Sequence, residues 1–421
     1  MTSPKRPNVA GPHDAVHADV EHFRSDLSRY QAGKIPDAVF LENRLRFGVY
    51  GQRQNGVHMM RSKLPLGLLS ATQLEAFADV ADRFGNGNAH LTTRQDIQTH
   101  FVRIEETPDL MHLLNDHQMT AREACGNVVR NITANPMSGV SPTEVFDVTP
   151  YGMALAKFLL RHPDIQSLGR KVKITLSGDG DARFNLSALH DIGLTAKIQD
   201  GVRGFKVLVG GGLGPVPHQA QLFADFVPAQ EIIPLSLAII RVFGEHGEKK
   251  NRARARLKFL VARWGIERFR HEVALLRSQL TASDEWEELV AEPQLLAWKE
   301  TPAFDASGEF PISGDTEVQR WLRSNVLSQK QDGYASVNLR VPRGDLDPAQ
   351  LRGLAAIARE VAGEDTVRIG LDQSLFIRWI PFARLLRTHE ALCELGLGQS
   401  LAGGLGDTLT CPGADTCNCL L

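Results

Sequence analysis

The sequence has little cysteine, almost no net charge and no long apolar segment, and each shortage excludes a class of protein. Its five cysteines are an odd number and two of them, Cys125 and Cys393, stand alone, which does not suit the disulfide framework of a small secreted protein. No uninterrupted apolar run reaches the roughly 20 residues that cross a bilayer, and the N-terminus lacks an apolar stretch of signal-peptide length. We therefore expect a cytoplasmic protein with no membrane partner.

The net charge of −2 over 421 residues gives no reason to expect nucleic acid as a partner. Any site for an anion must therefore be local. The 43% of hydrophobic residues is ordinary for a globular protein, and the length is sufficient for two or three packed modules.

One module occurs twice in the chain. Residues 63–74 read KLPLGLLSATQL and residues 340–351 read RVPRGDLDPAQL, with Pro, Gly, Leu and Gln-Leu at the same positions. HLTTRQDIQ (90–98) aligns with RIGLDQSLF (368–376) after a slip of one residue. Each copy reads as strand, turn, helix and strand, which predicts a ferredoxin-like half-domain at 46–115 and another at 315–395.

A different, α/β module is predicted at 116–300, between the two copies and after an N-terminal extension at 1–45. KVKITLSGD and FKVLVGGGLG read as strands, and NRARARLKFLVARWGIERFRHEVALL (251–276) reads as one long amphipathic helix. A second module of this kind is expected after the second copy, with 396–421 as its truncated start. The predicted fold class is α+β, with two ferredoxin-like half-domains in tandem repeat.

Four cationic side chains stand out by their context. Arg94 lies in HLTTRQDIQ and Arg130 in ACGNVVRNITANP, while Lys171 and Lys173 lie in GRKVKITLSGD, where period-two alternation puts both lysines on one face. A solvated outer face is the alternative interpretation. The second copy has Asp372 where the first has Arg94, so folding does not require the arginine, and a small oxyanion or polyanionic ligand is the predicted partner.

Two further stretches allow more than one interpretation. GGGLGPVP (210–217) follows a strand but departs from the dinucleotide fingerprint, because Pro215 stands where the third glycine belongs. It predicts either a turn that cradles an anion or a plain tight turn. The basic stretch from Lys249 to Arg270 is either a solvated helix face or a docking surface for an acidic electron donor.

Five motifs, in order, resemble those of the sulfite/nitrite reductase family: LTTRQ (91–95), ACGNVVRNITANP (124–136), RKVK (170–173), GFKVLVGGGLG (204–214) and CPGADTC (411–417). The resemblance implies sirohaem coupled to a [4Fe–4S] cluster, with ferredoxin or a flavoprotein as electron donor. It also implies six-electron reduction of sulfite to sulfide, with nitrite reduction to ammonia as the alternative.

The resemblance also implies roles for individual residues. The basic residues around sirohaem and substrate match Arg94, Arg130, Lys171 and Lys173, and polar contacts to the macrocycle match Gln95 and Asn131. Cys411 and Cys417 match the first pair of four cluster cysteines.

The family's later C-x3-C pair has no counterpart in the sequence, and Cys419 matches nothing in the family pattern. We therefore expect a C-terminally truncated chain that depends on a second polypeptide for the missing cysteines. A non-catalytic sirohaem-binding or inactive fragment is the alternative.

Overall fold

The computed structural model describes residues 10, 13–181, 183–281, 283–291, 295, 302–361 and 365–417. These residues form two compact units. The first comprises 1–121, 140–142 and 300–421, and the second comprises 122–139 and 143–299. In the part of the chain that is described, no helix is both long and apolar enough to cross a membrane.

The elements of the first unit come from both ends of the chain. The N-terminal part contains α1 (His13–Gln31), α2 (Asp37–Arg46), β1 (Val49–Gly51), β2 (Val57–Arg61), β3 (Leu68–Ser70), α3 (Ala71–Arg83), β4 (Ala89–Leu91), β5 (Ile97–Arg103) and α4 (Thr107–Asp116).

The second unit follows in the chain. It contains β6 (Thr133–Ala134), α5 (Thr149–Leu159), β7 (Ile174–Ser177), β8 (Ile192–Gln199), β9 (Val202–Val209), β10 (Gln221–Pro228), α6 (Ile232–His246), α7 (Leu257–Trp264), α8 (Ile266–Gln279) and α9 (Asp284–Leu289).

The C-terminal part of the first unit contains the second copy of the repeat. Its elements are α10 (Thr316–Asn325), β11 (Val326–Ser328), β12 (Tyr334–Leu339), β13 (Asp345–Leu346), α11 (Pro348–Glu360), β14 (Thr366–Ile369), β15 (Leu375–Pro381) and α12 (Leu385–Glu394).

The two copies of the repeat exchange a strand. One five-stranded sheet has the order β1-β2-β5-β4-β13 and the other has the order β11-β12-β15-β14-β3, so each ends on a strand from the other copy. Helices α3 and α11 pack against each other, and Arg352 pairs across them with Asp79 and Asp82 at 2.7 and 2.8 Å. The copies therefore share one hydrophobic core.

The residues that both copies of the motif share are required by the local backbone geometry. In both copies the residue after Pro and the following glycine adopt positive φ, 58° and 69° in the first copy and 61° and 73° in the second. A Cβ on Gly67 would lie 2.7 Å from the carbonyl oxygen of Ile369, so this turn requires glycine. The conserved spacing to Gln-Leu arises because Gln73 and Gln350 each complete a capping box with the residue before their helix.

The second unit contains one mixed sheet in the order β10-β9-β8-β7-β6, with parallel pairing only between β8, β7 and β6. Helix α6 is buried along most of its length, as expected from its apolar sequence.

The prediction of one long helix over 251–276 is wrong. The chain ends α7 at Trp264 and begins α8 at Ile266, because Gly265 between them has φ +76°, which is outside the helical region.

Candidate functional site

Arg94 lies in the turn between β4 and β5, not on a strand. The hydroxyl of Thr92 accepts hydrogen bonds from the backbone N–H groups of Arg94, at 3.1 Å, and of Asp96, at 3.3 Å. The arginine is 8% exposed. The equivalent turn of the second copy carries Asp372, whose carboxylate accepts from the backbone N–H of Ser374. Because either charge fits the same turn, the arginine is available for a role other than folding.

Gln95 is fully buried and its amide links the two copies of the repeat. Its Nε2 donates to the carbonyl oxygen of Ile369 at 2.8 Å. Gln373, at the equivalent position of the second copy, donates to the carbonyl oxygen of Leu91 at 2.7 Å. Both glutamines have positive φ, 56° and 62°. The amide nitrogen of Gln95 thus has a structural function, and contact with a macrocycle stays a prediction.

The segment with Cys411 and Cys417 lies against the first unit. Thr410 exchanges two backbone-to-amide hydrogen bonds with Gln373, both 2.9 Å long. Further along, the backbone N–H of Arg53 donates to the carbonyl oxygen of Thr416 at 3.0 Å. Cys411 is exposed and Cys417 is half-buried, so both thiols lie on a segment fixed at each end. Cys419 lies outside the described residues.

Arg130 and Asn131 belong to the second unit, in the segment that leads into β6. The backbone N–H of Arg130 donates to the carbonyl oxygen of Val172 at 2.9 Å, which places Arg130 next to the Lys171–Lys173 segment. Its guanidinium turns back onto its own loop and donates to the carbonyl oxygens of Gly126, at 3.0 Å, and Ala124, at 2.8 Å. Asn131 is fully buried.

Lys171 and Lys173 precede β7, which begins only at Ile174. The predicted period-two face does not continue along the strand, because Thr175 and Ser177 are buried together with the apolar residues between them. The structure therefore brings Arg130, Lys171 and Lys173 together at the entrance to a buried strand.

A buried carboxylate that the sequence did not single out holds this segment in place. Asp191 is fully buried, and its Oδ2 accepts the backbone N–H of Lys173 at 2.8 Å. Arg256 donates to the same carboxylate at 2.7 and 3.2 Å. Arg256 lies in the basic stretch from Lys249 to Arg270, for which the sequence allows a solvated helix face or a docking surface, and it pairs instead with the buried Asp191.

The charged groups that act on Lys171 are positive. Burial and, after it, the positive charges of Arg130, Lys173, Arg170 and Arg256 together lower the pKa of its amine to about 6. Each neighbour that acts on this pKa is cationic, so the cluster carries a local excess of positive charge. Such an excess favours a bound anion, which would raise the pKa again.

The glycine run after β9 is a tight turn. The backbone N–H groups of Gly210, Gly211 and Gly212 all donate to carbonyl oxygens of the protein at 2.9 Å. The ammonium of Lys258 donates to the carbonyl oxygens of Gly212 and Leu213 at 3.2 and 3.1 Å. Since these amides are used internally, they do not form the anion cradle that the sequence left open.

Comparison with known proteins gives two family matches. The description "Nitrite and sulphite reductase 4Fe-4S domain" matches residues 125–280. The description "Nitrite/Sulfite reductase ferredoxin-like half domain" matches residues 50–117 and 327–395. The prediction of two ferredoxin-like half-domains in a mixed α/β fold is thereby confirmed.

Curated relatives match along nearly the whole chain. A ferredoxin–nitrite reductase of Synechococcus elongatus is 30% identical over 96% of this chain and 74% of its own. A ferredoxin-type sulfite reductase of Mycobacterium tuberculosis is 28% identical over 95% and 70%. For a chloroplastic ferredoxin–nitrite reductase of Arabidopsis thaliana the identity is 29%, and the match covers 82% of this chain and 56% of the relative.

A solved structure has the same fold. The NirA protein of Mycobacterium tuberculosis superposes with a TM-score of 0.75 at 25% identity, over 91% of this chain and 68% of that protein. The chain thus spans between about half and three quarters of the length of these relatives.

Proposed function

This chain belongs to the nitrite and sulfite reductase family, and from that premise we propose that it reduces a small oxyanion, with sulfite to sulfide as the first candidate reaction. The observation that carries this proposal is the cationic cluster of Arg130, Lys171 and Lys173, where the pKa of Lys171 is lowered to about 6. Sulfite and nitrite are both anions, and their reduction consumes protons as oxygen leaves as water.

The residues present fit an anionic macrocycle. Sirohaem carries several carboxylates, and a buried site for it requires fixed cations. The second unit provides Arg130, which remains charged at any working pH, together with Lys171 and Lys173, and the backbone of Lys173 is held by Asp191, the partner of Arg256. The cofactor-binding role that the resemblance implies for Arg94 stays a prediction. When bound, sirohaem would supply electrons to the oxyanion.

The protein's own contribution is the handling of charge and protons. At neutral pH the amine of Lys171 is largely unprotonated, because its pKa is about 6. An anion that arrives beside it raises this pKa, so that the amine takes up a proton at Nζ. We propose this amine as the general acid that protonates the departing oxygen. Lys173 contributes a second ammonium from the same segment, and Asp191 fixes its backbone.

The thiols present fit half of a [4Fe–4S] site. Such a cluster takes four thiolates, and Cys411 and Cys417 are two candidates on one fixed segment. Cys125 is buried in the second unit, and Cys393 lies on α12 with its Sγ 3.5 Å from His389. We propose that the remaining two thiolates come from outside these residues, on a second polypeptide or on the continuation of a longer chain.

The test is reconstitution of the chain with sirohaem, iron, sulfide and a small-molecule thiol that replaces the two missing thiolates, followed by reduction assays with an artificial electron donor on sulfite and on nitrite. Turnover of sulfite that is lost in Lys171→Met, and retained in the exposed-lysine control Lys206→Met, is the expected result. Sirohaem binding without turnover would support the inactive-fragment alternative. Full turnover in Lys171→Met would refute the role of that amine.

Nitrite is the second candidate substrate, favoured by the 30% identity to a cyanobacterial ferredoxin–nitrite reductase. The ratio of kcat/KM for the two anions decides between them. Because both reductase types among the relatives are named for ferredoxin, we propose ferredoxin as the physiological donor. A flavoprotein donor is the alternative, and competition between the two for the reconstituted chain distinguishes them.

A further inference from the structure

Three potential metal ligands meet where α1 packs on α4, outside the cationic cluster. His17 and Glu21 are four residues apart on α1, so they lie on one face of the helix. Nε2 of His112, on α4, is 3.0 Å from Oε1 of Glu21, and the rings of His17 and His112 have centroids 5.0 Å apart. The candidate ligand atoms of all three residues lie within 4.8 Å of one another.

The packing of the two helices holds these ligands in place. Val20 and Phe23, on the inner face of α1, are 2% and 0% exposed and belong to the core that also contains Leu110 and Met111 of α4. One turn further along, Arg24 pairs with Asp109 at 3.0 Å. The backbone positions of the three ligands are thus set by a buried interface, so binding an ion requires only side-chain rotation.

The chemistry of the three groups suits a borderline divalent cation. Two imidazole nitrogens and one carboxylate oxygen are a ligand set that zinc uses, with a fourth position left for water. His17 and Glu21 are exposed and His112 is half-buried, so an ion has access from solvent. The positive charge of Arg24, 3.5 Å from Glu21, would repel a cation, but Arg24 is also paired with Asp109 at 3.0 Å.

We propose that His17, Glu21 and His112 bind a divalent transition-metal ion of the zinc class, which ties α1 to α4. Helix α1 precedes the residues that match the family descriptions, which begin at residue 50. His112 lies within the matched residues 50–117, but none of the three ligands belongs to the cationic cluster, so the metal site is tested separately from the proposed reductase activity. It would be a structural clip between an N-terminal element and the first half-domain.

The experiment is titration of the full-length chain with Zn²⁺ by calorimetry, in a Cys411→Ser/Cys417→Ser background that removes competing thiols. We expect one site, weakened at least about tenfold in His17→Ala and in His112→Gln. His22→Ala is the matched control, because His22 lies on the same helix, faces Asp26 and is 67% exposed. Co²⁺ in place of Zn²⁺ should give the visible absorption of a tetrahedral site with nitrogen and oxygen ligands.

The third variant, Glu21→Gln, keeps the length and an acceptor oxygen for His112 but removes the charge. It should fold as the parent does, by far-UV circular dichroism, and bind Zn²⁺ at least about tenfold more weakly. The proposal is overturned if Glu21→Gln or His17→Ala binds Zn²⁺ as tightly as His22→Ala does. Absence of the site in the Cys411→Ser/Cys417→Ser background, with the site present in the parent chain, would also overturn the proposal, because these two thiols would then be the ligands.

Discussion

Replacing Lys171 by methionine should make the cofactor-free chain more stable while it weakens anion binding. The folded-state pKa of this amine is about 6, against an ordinary value of 10.5. Between these two pH values the unfolded chain binds the proton and the folded chain does not, so the stability of the parent protein rises with pH across that window. Methionine has similar length and no proton to lose.

The magnitude follows from the size of the shift. At pH 7 the ordinary pKa lies about 3.5 units above the working pH, and at about 1.4 kcal/mol per unit the upper limit is roughly 5 kcal/mol. Lys171 is not fully enclosed, because it retains some surface exposure. Since solvent around the amine reduces the effect, we expect Lys171→Met to raise the free energy of unfolding by about 2–3 kcal/mol at pH 7.

The assay is denaturant unfolding of parent and variant, without sirohaem, at several values between pH 6 and pH 9.5. The difference in the free energy of unfolding should be largest near pH 6 and shrink steadily as the pH rises. Lys206→Met, an exposed lysine on strand β9 of the same sheet, should show no such pH-dependent difference. If the difference in the free energy of unfolding between Lys171→Met and the parent stays constant with pH, the lowered pKa is refuted as its cause.

Three further results are expected. Gln95→Leu should cost about 1–3 kcal/mol in denaturant unfolding, because it leaves the buried carbonyl of Ile369 without its 2.8 Å donor. Gly67→Ala should cost more than about 2 kcal/mol, whereas Gly87→Ala, with a similar φ but open space around its Cβ, should cost only about 1 kcal/mol by the same measurement. Burial lowers the pKa of His100 to about 4, so stability should fall as the pH drops from 6.5 toward 4, and His100→Gln should flatten that slope in acid titration.

The repeat was predictable from the sequence because its shared residues are required by local backbone conformation. A glycine with positive φ and a glutamine in a capping box are constraints that act within a few residues, and they recur at the same spacing in both copies. The repeat also singled out Arg94. The equivalent turn of the second copy carries Asp372, so the turn itself does not require an arginine.

The reciprocal strand exchange was not predictable in this way. Its pairs join residues more than 250 positions apart, such as Asp345 with His90, and no local pattern records them. The structural function of Gln95 has the same origin, because its acceptor belongs to the other copy. Asp191 was missed because a single acidic residue before a strand carries no signal until its partners, the Lys173 backbone and Arg256, are known.

The cationic cluster links the stability of the empty site to the binding of an anion. Burying Lys171 among four positive groups costs free energy in the absence of a ligand. An anion that binds beside Lys171 supplies the negative charge that the folded protein does not place there. It therefore raises the pKa of the Lys171 amine, and its affinity depends on the protonation of that amine. Binding must then take up protons, and between pH 6 and pH 9 the affinity for any anion should fall as the pH rises.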